Sequence, residues 1–274
     1  MRKKVSSKNI LSEILPNQSI DLLKEMHLLT QDGNLNADAR RKLKQINHFS
    51  GFLQPAIEDI FDRYKNPFLV DVGSGNSYLS FIIYDLFFKT KDQGQILSID
   101  SRPELIERGK NRAKIFRFNR MEFLCSNISN SKLPKRVHLL TALHACDLAT
   151  DEALLLGVKN KMDYIFLVPC CQAEVSKLLQ KNENPHACSL LYDDPLHRRE
   201  FGSHLTNIIR VLALRSFGYK VTVTELTSWE HTAKGELIIA KRVNNYDQKA
   251  KEKLETILEH FSLETFLTKA ITNF

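Results

Sequence analysis

The sequence predicts an α/β protein: a mostly parallel sheet of seven strands with one antiparallel edge strand, preceded by a helical extension. Three observations predict it. From Phe68 onward, apolar runs alternate with amphipathic segments, the pattern of right-handed βαβ units. The first two runs, Phe68-Leu69-Val70-Asp71-Val72 and Gln95-Ile96-Leu97-Ser98-Ile99-Asp100, carry acids at their carboxyl ends. The last two, Tyr219–Glu225 and Glu236–Lys241, have no helix between them and so pair as neighbours.

In chain order, residues 1–66 read as helical. Ile20–Leu29 places apolar residues at helical spacing, and Gln31-Asp32-Gly33-Asn34 is a turn. Ala37–Tyr64 is a longer amphipathic segment, expected to break near Gly51 or Pro55 because proline removes a helix hydrogen bond. Arg40, Arg41, Lys42 and Lys44 cluster at its start, either as a solvated face or as a contact for phosphates. After the first strand a helix runs to about Phe88. Another spans Pro103–Phe118, with Pro103 suited to its first turn. Met121–Cys125, Val137–Leu143 and Tyr164–Val168 are the next strands, and a long helix is expected over Ser203–Phe217. The amphipathic tail 246–274 is expected to pack on the domain. The expected division is 1–66, 67–243 and 244–274.

Composition narrows the class. At 274 residues and 43% hydrophobic content, the chain is long enough for one large domain with a sizeable core. No apolar run reaches the length of a membrane span. The basic start (Arg2, Lys3, Lys4) lacks the apolar stretch of a secretory signal. Five cysteines, two of them adjacent, make a poor disulfide framework and suit reduced thiols in the cytoplasm. A net charge of +7 favours an anionic partner such as RNA.

The first strand leads into Asp71-Val72-Gly73-Ser74-Gly75-Asn76. Glycines let the backbone turn sharply and approach a ligand, and the following helix start offers unpaired N–H groups. An acid at the tip of the second strand, here Asp100, is where α/β nucleotide sites hold ribose hydroxyls. A dinucleotide site would want glycine at position 78, which is Tyr78. Asp71 would repel a pyrophosphate but suits a cationic ligand.

This segment resembles the first motif of class I S-adenosylmethionine-dependent methyltransferases, whose cofactor carries a sulfonium and an amino group. The resemblance implies a Rossmann-like methyltransferase fold. It places Asp71, Gly73 and Gly75 about the methionine part of the cofactor and Asp100 at the ribose, with Ser74 and Ser101 as further cofactor-binding candidates. Asn127 falls near the adenine, or is simply a turn residue. Ser77 stands where the family often has a third glycine.

A second constellation follows the fourth and fifth strands: Leu143-His144-Ala145-Cys146-Asp147-Leu148-Ala149-Thr150-Asp151 and Pro169-Cys170-Cys171-Gln172. Both lie at carboxyl ends of strands, the edge that builds sites in such sheets. These motifs resemble those of a methyltransferase family related to eukaryotic tRNA ribose-methylating enzymes. Glu230-His231-Thr232-Ala233-Lys234-Gly235 resembles a further segment of bacterial members, with Ala233 and Gly235 replacing Pro and Asn. The resemblance covers about residues 40–243 and implies S-adenosylmethionine as cofactor.

Three readings compete for the cluster. His144, Asp147, Cys146, Cys170 and Cys171 shape a methyl-acceptor pocket, with His144 or Asp147 taking a proton and His144 also touching cofactor. Alternatively His144, Cys146, Cys170 and Cys171 bind zinc, although adjacent cysteines are a strained chelate. Or a cysteine is a covalent nucleophile. Taken singly, each cysteine also suits small apolar packing. Arg198 and Arg199 before the long helix, and Trp229 between the last strands, are candidate nucleic-acid contacts or ordinary surface and core residues.

The reading is an S-adenosylmethionine-dependent methyltransferase acting on RNA. One alternative is a cofactor-binding module that has lost transfer activity and serves a protein partner. A NAD-dependent oxidoreductase is disfavoured by Tyr78 and by the final strand pair.

Overall fold

The computed structural model describes residues 13–143, 145, 147–169, 172–182, 188–226 and 235–272. Its strands are β1 (Phe68–Val72), β2 (Gln95–Asp100), β3 (Met121–Cys125), β4 (Leu139–Leu143), β5 (Tyr164–Val168), β6 (Tyr219–Glu225) and β7 (Glu236–Arg242). They form one sheet in the order β3-β2-β1-β4-β5-β7-β6. β1 pairs parallel with β2, β2 with β3, and β4 with β5. The antiparallel strand is β7, which lies one place in from the edge and pairs antiparallel with both β5 and β6. β6 and β7 are antiparallel neighbours, as expected. β7 is also the apolar one of the two, with Leu237, Ile238 and Ala240 buried, so it takes the interior place. β6 alternates buried Tyr219 and Val221 with exposed Lys220 and Thr222, the pattern of an edge strand. β1 and β5 are buried throughout, which explains their unbroken apolar runs.

The chain forms two compact units, Met1–Asn127 with Leu226–Ala233, and Ile128–Glu225 with Lys234–Phe274. The described part of the first holds α1 (Ile20–Glu25), α2 (Ala37–Arg63), α3 (Tyr78–Ile83) and α4 (Pro103–Phe116). α1 and α2 start at Ser19 and Asn36, whose side chains accept backbone N–H groups of the first turn. α2 does not break at Gly51 or Pro55 but runs through both. Its apolar face stays buried along the length, through Leu43, Ile46, Phe49, Leu53, Ile57 and Ile60. That burial outweighs the roughly 3 kcal/mol an internal proline costs. α3 reaches Phe88, as expected, by changing to a π turn over Tyr84–Phe88.

The second unit holds α5 (Leu148–Lys159), α6 (Glu174–Gln180), α7 (Pro195–Ser216), α8 (Gln248–His260) and α9 (Phe266–Ile271). α7 starts at Pro195 rather than at Ser203, so Arg198 and Arg199 are inside the helix. Proline is favoured at a first helical position because its missing N–H has no partner there anyway. The two tail helices pack on this unit, α8 against α7 and α9 against α5. Glu174 Oε1 accepts the Phe266 N–H at 2.6 Å, and Asn182 Nδ2 donates to the Phe261 carbonyl at 3.1 Å.

α6 and α7 approach closely at Gly202. A Cβ there would stand 2.9 Å from both Cα and N of Ser176, and backbone cannot turn aside as a side chain would. Gly202→Ala is therefore expected to destabilise the fold by about 1–3 kcal/mol. Urea unfolding would read this as a lower midpoint, and an unchanged midpoint would show that α6 yields. No helix among the described residues is long and apolar enough to cross a membrane.

Candidate functional site

The turn after β1 depends on backbone that most side chains resist. Gly73, Gly75 and Ser77 have φ of 63, 57 and 56°. Glycine adopts this left-handed region freely, and serine does so at some cost. Position 77 is thus another left-handed turn position, which gives a physical reason why glycine is common there. The turn closes through Ser74 N–H to the Ile99 carbonyl at 3.0 Å and Ser77 N–H to the Ser74 carbonyl at 2.8 Å. α4 grips it from the side: Arg108 donates to Asn76 Oδ1 at 3.1 Å and Arg112 to the Asn76 carbonyl at 3.3 Å. Arg112 is buried and lies 5.4 Å over the Phe81 ring, and burial pushes its guanidinium below the usual arginine range.

Asp71 and Asp100 play different local parts. Asp71 is buried and accepts the Ser80 hydroxyl at 2.6 Å, while Ser80 accepts from Ser98 at 2.9 Å. These three polar groups, from β1, α3 and β2, satisfy one another inside the apolar layer. Asp100 stands at the carboxyl tip of β2. Oδ2 accepts the Gly75 N–H at 2.8 Å and Arg102 Nη2 at 3.0 Å; Oδ1 accepts Arg102 N at 3.1 Å and Nε at 2.8 Å. Burial alone would raise the Asp100 carboxyl, but the Arg102 and Gly75 donors outweigh it and hold the group below the usual carboxylate range. Ser101 is exposed, and its carbonyl accepts from Cys125 Sγ at 3.6 Å. Asn127 follows β3, where its carbonyl accepts the Ser126 hydroxyl at 3.0 Å.

The second cluster lies wholly in the other unit and is organised by Arg210 of α7. That side chain is fully buried. It forks onto Asp151, Nε to Oδ1 at 2.7 Å and Nη2 to Oδ2 at 3.0 Å. Nη2 also donates to the Asp147 carbonyl at 3.0 Å, and Nη1 to Asn207 Oδ1 at 3.2 Å. Asn207 in turn accepts Gln172 Nε2 at 3.1 Å and donates to Glu236 Oε2 at 2.7 Å. Ser203 donates to Gln172 Oε1 at 2.8 Å. The β4–α5 loop, the β5–α6 loop, α7 and β7 are thereby joined in one buried polar network.

Asp147 sits at φ 48°, ψ −117°, a conformation that non-glycine residues avoid. It is held there from two sides, by Arg210 on its carbonyl and by the Ala173 N–H on Oδ1 at 3.2 Å. The Thr150 hydroxyl closes the loop by donating to the Ala145 carbonyl. Burial raises the Glu174 carboxyl; the Phe266 N–H opposes this, and the nearby Asp151 and Asp147 charges add to it.

His144, Cys146, Cys170, Cys171, Trp229, His231, Thr232, Ala233 and Lys234 lie outside the described residues. Among the described residues no group of three or more His, Cys, Asp or Glu side chains is arranged to hold a metal. The basic residues at the start of α2 are partly paired: Lys42 with Asp38 at 2.7 Å, and Arg40 and Lys44 with Glu13 at 3.8 and 3.2 Å.

Sequence reasoning missed Arg102, Arg210 and Asn207. The available signal for Arg210 was a charge inside Ile208-Ile209-Arg210-Val211-Leu212, since a lone arginine in an apolar run needs a buried acid. Asp151, quoted within its motif and given no role, is that acid.

A sheet of this order, with a glycine turn after β1 and an acid ending β2, defines the class I methyltransferase architecture. A family model described as a methyltransferase domain matches residues 41–178, about half of the chain. The chain belongs to this family and is an S-adenosylmethionine-dependent methyltransferase. A search of curated proteins finds no match. Similar solved structures include an S-adenosylhomocysteine-bound methyltransferase of Podospora anserina, with 11% identity over 86% of this chain and 93% of that one and a TM-score of 0.48. Magnesium protoporphyrin IX methyltransferase of Synechocystis PCC 6803 shares 11% identity over 81% and 93% of the two chains, with a TM-score of 0.46. An rRNA methylase of Streptococcus thermophilus shares 9% over 65% and 87%, with a TM-score of 0.41.

Proposed function

We propose that this enzyme methylates RNA. The observation that carries the acceptor class is the net charge of +7, joined to the His144–Asp151 and Pro169–Gln172 segments that resemble those of tRNA ribose-methylating enzymes.

The residues of the first unit fit the cofactor. Gly73 and Gly75 let the backbone of the turn approach a ligand, and Asp100 presents a carboxylate that backbone N–H groups already favour in its charged form. Asp100 would hold the ribose hydroxyls; Asp71, Gly73, Ser74 and Gly75 would hold the methionine part, with Ser101 and Asn127 beside the ribose and adenine. When bound, S-adenosylmethionine supplies an electrophilic methyl group on a sulfonium. Transfer is an in-line displacement, so the chain's task is mainly to orient the acceptor and exclude water.

Asp147 is the described residue best fitted to the acceptor side. One carboxylate oxygen is fixed by the Ala173 N–H, and its backbone is locked by Arg210. Its second oxygen accepts no hydrogen bond from the described residues and is available to take an acceptor's proton. His144, Cys146, Cys170 and Cys171 belong to the same proposal as the rest of that pocket.

The test is transfer of a labelled methyl group into separate RNA, protein and small-molecule pools. Label is expected in RNA. His144→Ala and Asp147→Ala should each abolish it while leaving S-adenosylhomocysteine affinity within about threefold. Label in protein or small molecules only would refute the RNA assignment. No label in any pool despite tight cofactor binding would favour the non-catalytic module. Full activity in Asp147→Ala would remove that residue from the mechanism.

A further inference from the structure

The hydrogen bonds on Asp100 leave no room for a further donor. A carboxylate offers about four lone-pair positions. Here Arg102 N and Nε fill those on Oδ1, and Gly75 N and Arg102 Nη2 fill those on Oδ2. The four donors are of two kinds. The backbone N–H groups are fixed by the turn after β1 and by the start of α4. The guanidinium is not fixed: its side chain is 56% exposed and, among the described residues, makes hydrogen bonds only to Asp100. It also closes over the glycine turn, with Nη2 3.7 Å from where a Gly75 Cβ would stand.

Removing the guanidinium alone opens one position on each carboxylate oxygen. Two adjacent O–H donors, one to each oxygen, are what a vicinal diol brings. The two backbone N–H groups would remain and keep the carboxylate charged and oriented.

We propose that Arg102 is a latch on the cofactor site: its guanidinium occupies the ribose-diol positions of Asp100, and the cofactor binds by turning it out into solvent. The inference rests on the reading that Asp100 takes the ribose. Its consequence is that the affinity measured for the wild-type enzyme includes the work of opening the Arg102–Asp100 pair. The latched population lowers apparent affinity in proportion to its weight. Asp100 is buried but the guanidinium it holds is more than half exposed, so this weight is modest.

The experiment is calorimetric titration of the full chain with S-adenosylhomocysteine, comparing wild type, Arg102→Ala, Arg102→Gln and Asp100→Ala. Both Arg102 variants are expected to bind at least about threefold tighter than wild type. Any smaller gain, no change or a loss overturns the latch. Asp100→Ala separates the two levels of the argument. If it weakens binding while the Arg102 variants do not strengthen it, the latch alone fails. If it binds like wild type, the ribose assignment itself fails. Thermal unfolding of each variant confirms that it is folded, which is expected because the Arg102 side chain lies at the surface.

Discussion

Asp100→Ala is expected to weaken S-adenosylhomocysteine binding by about tenfold to a hundredfold, the range for losing hydrogen bonds to a charged acceptor. The replaced group is one carboxylate at the tip of β2, yet it organises three things at once. It accepts the Gly75 N–H and so fixes the turn after β1; it accepts the Arg102 N–H at the start of α4; and it is the proposed acceptor of the ribose hydroxyls. Alanine keeps the strand and loses all three. Titration with NAD is the control and should show no binding in either form. Unchanged binding of S-adenosylhomocysteine to the variant, or a preference of the wild type for NAD, would refute the assignment of this turn.

The same carboxylate carries a pH signature. Its folded pKa lies below the ordinary 3.8, so its contribution to stability is complete above that value and is lost as pH falls through the lower, folded one. Asp100→Ala should therefore lose less stability than the wild type on acidification below about pH 4.

Arg210→Ala is expected to have the largest effect on stability. Removing one partner of a buried ion pair leaves the other charge uncompensated, a loss of about 3–5 kcal/mol. For a protein of this size that is a fall in Tm of about 6–20 °C. Asp151 would be left charged and buried, the Asp147 carbonyl would lose a donor, and Asn207 would lose its tie to the loop. The paired replacement Arg210→Met with Asp151→Leu should recover much of the loss, because an apolar pair of similar volume leaves no stranded charge. Differential scanning calorimetry of the single and the paired variant decides the matter. A single variant within about 1 kcal/mol of wild type would mean the pair contributes little.

The elements were legible where a local pattern specifies them. β1 and β5 are buried on both faces, so their sequences are continuous apolar runs, and the hairpin-like end pair followed from the lack of a helical pattern in the sequence between Glu225 and Glu236. The continuity of α2 through Pro55 was not legible, because local proline geometry argued for a break that packing along the whole helix overrides. The start of α7 was missed because its first turns carry few buried residues, and apolar periodicity becomes visible only from about Gly202. In the site, the glycine turn and Asp100 could be read because both are sequence-local features at strand ends. The Arg210–Asp151 pair could not: its partners are 59 residues apart, and nothing local links an arginine in α7 to an acid in the first turn of α5. Arg102 was adjacent to a named residue and still missed, because which way a surface arginine turns is decided by geometry.

The backbone at Asp147 has a consequence for transplanting this motif. Its φ of 48° and ψ of −117° are not what the short sequence around it would adopt alone. The shape is imposed from outside the segment, by the Ala173 N–H and by one guanidinium of α7 that reaches back across 63 residues of chain. A peptide carrying Leu143–Asp151, or a graft of that segment onto another α/β scaffold, would keep every side chain and relax to a different loop. What makes the segment a unit is therefore not contiguous in the sequence, and a search or a design that treats it as a nine-letter word would leave out the arginine that gives it its form.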